Sequence, residues 1–414
     1  NDADTIQVDV TDNGNTGSGG GGTITLGTVN VDIGAVNDAP VNTVPGTQTV
    51  LEETQTAIAG ISVSDVDAGA ASITTRLQVT AGVLDVTLSG TATISAGANG
   101  TNDLTIQGNL TDVNATLASL LYTGNTDVTG IAADTLTVTS DDGGNTGSGG
   151  AQQDVDNVQI DITNINDAPS GADNTVTTNE DTDYAFSAGD FGFSDPVEGD
   201  ALAAVVISSL PANGTLYLDA NGDGNIDGGE AVSALDTIAL ADITAGRLKF
   251  KPAADANGTG YDSFTFQVQD DGGTANGGVD TDQSPNTMTI DVNSVNDDPT
   301  NAGSLPSDIA VTEDVSSNVD LSLINLADVD AGGGNLTVTL STSSGGNLTA
   351  SSGGGVTVGG SGTGALTLTG TLANLNTFLD TPSNITYLHG TPGTSGNDAD
   401  TIQVDVTDNG NTGS

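Results

Sequence analysis

The chain has 414 residues, with 55 Asp and Glu against four Lys and Arg, for a formal net charge of −51. A surface this acidic cannot neutralise phosphates, which excludes nucleic acid and anionic membrane as partners. There is no cysteine, only one histidine (His389) and no apolar run of membrane-spanning length, so disulfides and most imidazole catalysis are excluded and no membrane insertion is expected. Charged residues are only 14% of the chain and hydrophobic ones 35%, a balance that favours packed sheets over disorder.

Taken in chain order, the first element is a repeat: Asn1–Ser18 returns letter for letter as Asn397–Ser414. The interval from position 1 to position 397 suggests one turn of a longer tandem array. A shorter period lies inside it. Asn37-Asp38-Ala39-Pro40 recurs at Asn166-Asp167-Ala168-Pro169 and, altered, at Asn296-Asp297-Asp298-Pro299. These marks divide the chain into 1–40, the end of a preceding domain; two whole domains, 41–167 and 168–297; and 298–414, a domain expected to stop before its last strand. Helical spacing appears at Leu110, Val113, Leu117, Leu120 and Leu121 behind a Thr111-Asp112 cap. Thr135–Thr139 and Val158–Ile162 then alternate with period two, as do Ser263–Val268 and Thr401–Val406. Leu372, Leu375, Phe378 and Leu379 echo the helical stripe, so the first and third domains resemble each other more than the second. Seven or so strands per domain predict an all-β fold of tandem immunoglobulin-like Greek-key sandwiches in a linear array.

The acids gather at four landmarks in each domain. They follow the first strand (Glu52-Glu53, Glu180-Asp181, Glu313-Asp314) and the second (Asp65 and Asp67; Asp195, Glu198 and Asp200; Asp328 and Asp330). They also open the sixth strand (Asp134, Asp262, Asp400) and close it (Asp141-Asp142, Asp270-Asp271, Asp408). Alternating turns of a Greek key would bring the first and third landmarks of one domain to the second and fourth of the next. Bare carboxylates about 6 Å apart repel by roughly 0.7 kcal/mol per pair even in a waterlike medium. A calcium ion, which accepts six to eight oxygens with loose geometry, would relieve this.

With its Asn-Asp-Ala-Pro linkers, the Glu after the first strand, Asp-x-Asp after the second and Asp-Asp-Gly after the sixth, the chain resembles the cadherin-like repeats of giant secreted bacterial adhesins, the extender region of RTX-type adhesins. The middle domain is the nearest, with Ala212-Asn213-Gly214-Thr215-Leu216, Phe250-Lys251-Pro252 and Tyr261-Asp262-Ser263-Phe264. The resemblance implies one ligand set of Glu52, Asp134, Asn164, Asn166, Asp167, Asp195, Asp200 and Asp270. It implies a second of Glu180, Asp262, Asn296, Asp297, Asp328, Asp330 and Asp408, and near the start a third of Asp4, Asn37, Asp38, Asp65, Asp67 and Asp141. The linker lacks the extra Asn of animal cadherins and their Asp-Arg-Glu motif is reduced to a single Asp.

A separate calcium signal is the twelve-residue stretch 219–230, which matches an EF-hand loop. Asp219, Asn221 and Asp223 would give side-chain oxygens, Asn225 its carbonyl, Asp227 a direct or water-bridged contact and Glu230 a bidentate carboxylate. Ile226 would point to the core, and the flanks read as strand rather than helix.

These readings predict a non-enzymatic, calcium-rigidified extender of an extracellular bacterial surface adhesin, each domain about 40 Å long, with adjacent repeats as partners. One alternative is a homophilic or filament-forming module that binds like chains. Another is a carbohydrate-binding module for surface glycans, for which Tyr184, Tyr217 and Tyr261 are the only candidate platform and core packing is the better reading.

Overall fold

In the computed structural model, residues 4–13, 22–144, 147–389, 391 and 393–410 are described. The chain divides into two compact units, Asn1–Asp167 with Thr274–Gly278 and Ala168–Gly273 with Val279–Ser414. Among the described residues there are three hydrophobic cores, one in the first unit and two in the second.

The first unit opens with a hairpin of β1 (Asp4–Thr11) and β2 (Thr23–Val31). Its core is enclosed by two sheets. One runs Gln48–Leu51, Gln153–Thr163, Gly130–Asp141, Ser72–Gln78, Asp103–Asn109, Thr93–Gly97; the other runs Thr56–Ala57, Leu121–Gly124, Gly82–Asp85. The first strand lies parallel to the last, with Gln48 opposite Ile160. The period-two pattern fixes which face is inside: Leu136, Val138, Val158 and Ile160 are all fully buried.

The middle core repeats this plan with Asn174–Asn179 parallel to Asn286–Asn293, then Gly258–Asp270, Leu202–Ser209 and Thr237–Ala239. Phenylalanine fills it. Phe191 meets Phe266 edge-on at 5.0 Å, and Phe186 meets Phe264 at 5.4 Å. Tyr217 is fully buried, and Tyr184 and Tyr261 pack against the same core, so the three tyrosines form no exposed platform.

The predicted helices are present as α1 (Leu110–Leu117) and α3 (Leu372–Leu379). The α1 cap is not Thr111-Asp112. Asn109, extended at φ −65° and ψ 157°, accepts from the Asp112 amide at 3.0 Å, because the cap must precede the first helical residue. A short α2 (Leu240–Thr244), which the sequence reading does not include, occupies the middle domain. Each long helix carries an asparagine that acts as a strand substitute. Asn114 accepts from Val63 N and donates to Val63 O, both at 2.8 Å, and Asn376 does the same with Leu326 at 2.8 and 2.9 Å.

In the third core, the sheet runs Thr357–Gly359, Ala365–Thr371, Asn335–Thr342, Ile402–Thr407, with the last strand at the edge. The expected first strand before Glu313 does not form: residues 308–312 have no ladder, and Glu313 and Asp314 are exposed. In the other two cores that strand depends on a parallel neighbour beyond the sixth strand; here the described residues supply none.

Truncating Phe266, which is wholly buried and set edge-on to Phe191, is expected to cost roughly 3–5 kcal/mol. Urea denaturation of Phe266→Ala against the parent chain checks this.

Candidate metal centre

The acidic landmarks separate into two kinds. Asp134, Asp262 and Asp400, expected to face a neighbouring domain, are instead occupied within their own. Asp134 accepts from the amides of Thr80, Ala81 and Thr135 and from the hydroxyls of Thr80 and Tyr122, all at 2.7–2.9 Å. Asp262 accepts from the amides of Ala212, Asn213, Gly214 and Ser263 at 2.7–3.0 Å. Asp400 holds the amides of Ser343, Ser344, Gly346 and Thr401 and the Tyr387 hydroxyl. Each carboxylate pins a hairpin loop to the start of the sixth strand. Burial pushes Asp134 upward, but the amides of Thr80, Thr135 and Ala81 outweigh it and hold the group below the usual carboxylate range. Within its own domain each of these residues therefore acts as a structural clamp.

The second kind is under-satisfied. In the second unit, the carboxylates of Asp181, Asp255 and Asp297 offer oxygens all within 4.8 Å of one another. Asp255 and Asp297 line a cavity of about 340 Å³ together with Glu180, Asn257 and Asp330. Glu180 is buried, accepting from Val295 N at 2.5 Å and Asn257 Nδ2 at 2.8 Å. The linker amide of Asp297 donates to Asp330 at 3.0 Å, and Asp328 accepts from the amides of Asp330 and Ala331. Burial, and then the charges of Asp255, Asp330, Asp181 and Glu180, raise Asp297. Asn296 Oδ1, Asp328 Oδ2 and Asp408 Oδ2 are buried oxygens without a hydrogen-bond partner.

The sequence analysis assigned Glu180, Asn296, Asp297, Asp328, Asp330 and Asp408 here but missed Asp181, Asp255 and Asn257. A signal existed. Asp255 precedes Asp262 by seven residues, as Asp127 precedes Asp134, and both take left-handed backbone, at φ 55° and 61°.

The first unit repeats the pattern in halves. Near its start Asn37 is buried and donates to Asp142 at 2.5 Å, while the Asp38 amide donates to Asp67 at 3.0 Å. Asp65 Oδ2 and Asn37 Oδ1 are buried without partners, and burial raises Asp65. Asp142, not Asp141, takes the inward position. Alternation over the eight residues from Asp134 puts 142 inside, as it does Asp270 from Asp262 and Asp408 from Asp400, whereas Asp141 bonds Gly143 N and Gln153. Asp4 opens β1, and its side chain lies outside the described residues. At the end of this unit burial raises Asp167, followed by the charges of Glu53, Asp127 and Glu52. Glu52 is buried and accepts from Ile165 N at 2.7 Å, leaving Oε2 without a partner. Asn166 is buried and Asn164 exposed. In the second unit burial raises Asp200, then the charges of Asp195, Asp270 and Asp271; Asp195 Oδ2 is a buried oxygen without a partner.

The loop 219–230 connects strand to strand, as Leu218 N donates to Glu230 O and Tyr217 bridges Ala231. Its side chains turn on its own backbone. Asp219 accepts from Gly222 and Gly224 N, Asn221 from Asp223 N, Asp223 from Asn225 N, and Glu230 from Ala220 and Asp227 N. Asn221 Nδ2 donates to Asp227 at 3.0 Å. The ammonium of Lys249 stands 2.7 Å from the buried Asp219 carboxylate and, with other bonds, holds it below the ordinary range. Ile226 is 38% exposed and so does not point to the core.

Buried oxygens without donors, beside carboxylates raised by burial and then by neighbouring charge, fit a hard divalent cation better than any organic ligand. Among the described residues no helix is long and apolar enough to cross a membrane.

Residues 166–282 match the family model of a bacterial Ig domain. No curated protein sequence matches the chain. Among solved structures it is similar to protocadherin gamma B2 extracellular cadherin domains 3-6, at 18% identity and a TM-score of 0.37, covering 89% of this chain and 75% of that one. Mouse cadherin-23 EC22-24 gives 16% and 0.32, covering 79% and 85%. The protocadherin gamma B4 extracellular domain gives 15% and 0.38, covering 88% of this chain and half of that one.

Removing the clamp in Asp262→Ala strands four amides and is expected to cost roughly 3 kcal/mol or more, read as a lower urea midpoint, with calcium affinity unchanged. The two kinds of carboxylate also titrate with opposite sign. A raised group (Asp65, Asp167, Asp200, Asp297, Asp328) adds stability as pH falls toward the ordinary value of about 4. A depressed group (Asp134, Asp400) contributes above that value and is lost as pH drops through its own pKa. Melting in chelator should therefore show Tm rising from pH 7 toward mild acid and falling below about pH 4.

Proposed function

We propose that this chain is a calcium-stiffened spacer in an extracellular bacterial surface adhesin, a non-catalytic module that holds a binding element away from the cell. The observation that carries this reading is the convergence of Asp181, Asp255 and Asp297, within 4.8 Å of one another, beside a linker whose amide is tied to Asp330. Asp181, Asp255 and Glu180 belong to elements around the middle core, Asp328 and Asp330 to those of the third, and Asn296 and Asp297 to the linker between them. Bound calcium would supply the positive charge that makes these groups attract rather than repel. The residues themselves orient the linker: Glu180 accepts from Val295 N on its near side and Asp330 from Asp297 N on its far side.

Without the ion the clustered charges oppose docking of the two domains, which would keep the chain slack in a calcium-poor cell interior. Millimolar calcium outside would straighten it. The loop 219–230 would hold a further ion in competition with the Lys249 ammonium, which contacts Oδ2 of Asp219. The match of residues 166–282 to a bacterial Ig domain supports an extracellular structural role, and the buried Tyr217 with the core-packed Tyr184 and Tyr261 gives no support to a glycan platform.

Calorimetric titration with calcium, together with small-angle scattering, tests this. Calcium is expected to lengthen the maximum dimension, and Asp297→Ala to weaken at least one site tenfold or more. Identical scattering profiles in calcium and in chelator would rule the stiffening out.

A further inference from the structure

The hairpin between Gly130–Asp141 and Gln153–Thr163 lays its return limb along residues 35–42, the segment that leads into the first whole domain. Ser148 N donates to Ala35 O and Asn37 N donates to Ser148 O, both at 3.0 Å, which makes Val36 and Ser148 a parallel bridge. Side chains extend the contact. Asn37 Nδ2 donates to Gly150 O at 3.0 Å, Gln152 Nε2 donates to Asn37 O, and Asn42 N donates to Asp154 Oδ2 at 2.7 Å. The Asn42 carboxamide is held in turn, accepting from the Ser140 hydroxyl at 2.6 Å and donating to Asp154 O at 3.0 Å. Val36 itself is 66% exposed, so polar bonds rather than apolar burial hold this segment. Each bond is a complete donor–acceptor pair and requires no cation.

The chain is shaped for this contact. Gly147 has φ +80°, and a Cβ there would stand 2.7 Å from Val36 C, 2.8 Å from Asn37 N and 3.0 Å from Ala35 C, so only glycine lets the two backbones close. Residues 143–151 carry no ionisable group, which lets the hairpin lie on an acidic linker without adding repulsion. The stretch Gly144–Ser148 returns at 14–18 and 410–414. The first unit contains a second close approach of this kind. A Cβ on Gly278 would stand 3.0–3.1 Å from Cβ, N and O of Asn166, which holds the place of Asn37 in the next Asn-Asp-Ala-Pro.

We propose that residues 147–154 are a strap that fixes the linker 35–42 to the domain following it without any metal. The linker then moves as part of that domain, and flexing in the ion-free chain is displaced to residues ahead of Ala35. Asn37 and Asp38 are thereby held beside Asp142 and Asp67 in advance of any ion. The strap stands on hydrogen bonds within one unit and is independent of the calcium reading.

Amide hydrogen exchange of the full 414-residue chain in chelator, resolved by residue with NMR, tests this. The amides of Asn37 and Ser148 are expected to exchange roughly a hundredfold more slowly than in an unstructured chain before calcium is added. Gly147→Ala should speed both by roughly tenfold or more, while the buried-strand amides of Leu136 and Val138 keep their protection. Gln152→Ala, which deletes the donor to Asn37 O and touches no backbone dihedral, should speed both by roughly threefold. Gly100→Ala, at a comparable φ of +75° with nothing within 4 Å, should change neither. If Gly147→Ala also lowers protection at Leu136 and Val138, Gln152→Ala decides. Unprotected Asn37 and Ser148 in chelator, protection that arrives only with calcium, or exchange indifferent to both Gly147→Ala and Gln152→Ala would each overturn the proposal.

Discussion

The disposal of negative charge is the constraint on which this structure depends. With 55 acids and four bases, ion pairing can neutralise almost none of it, and the three bridges seen are Arg76 with Asp103, Arg247 with Asp242 and Lys249 with Asp219. The chain therefore treats its buried carboxylates in two ways. One set is wrapped in backbone amides, which makes charge a structural asset, as at Asp262 with its four N–H donors. The other set is left facing itself at the domain ends, as at Asp297 among Asp255, Asp330, Asp181 and Glu180. The first set braces loops within each domain; the second gathers repelling charge beside the linker.

The two sets share one strand. Asp262 and Asp270 open and close the inward face of Gly258–Asp270, eight residues apart, with Phe264, Phe266 and Val268 between them. A strand of this length carries a clamp at one end and a repulsive group at the other on the same face of the sheet. Core packing thus fixes the position of the end-cluster acid rigidly, and repulsion there cannot be relieved by moving the strand without disturbing the phenylalanines behind it.

Much of this was legible in the sequence because sheet geometry is a period-two code. Strands such as Thr135–Thr139 and Ser263–Val268, the helical stripes, and the grouping of Asp297 with Asp330 follow from alternation and from repeated spacing. Three things did not. Asp134 and Asp262 are acidic in composition like any ligand, and only the three-dimensional return of residues 80–81 and 212–214 shows their oxygens filled. Asp255 and Asp127 sit in irregular loops outside any strand alternation, and only their common seven-residue spacing to the sixth-strand Asp marks them. Among the described residues the segment before Glu313 forms no ladder, whereas the first strands of the other two cores pair in parallel with a neighbour that alternation alone does not name.

The helical asparagines bear on a different hazard. Asn114 and Asn376 each engage both backbone groups of one strand residue, Val63 and Leu326, with a single carboxamide. A side chain that imitates a peptide bond closes those positions to pairing by any passing chain. In a chain of successive similar sandwiches, such capping confines unwanted pairing to whatever edges remain bare.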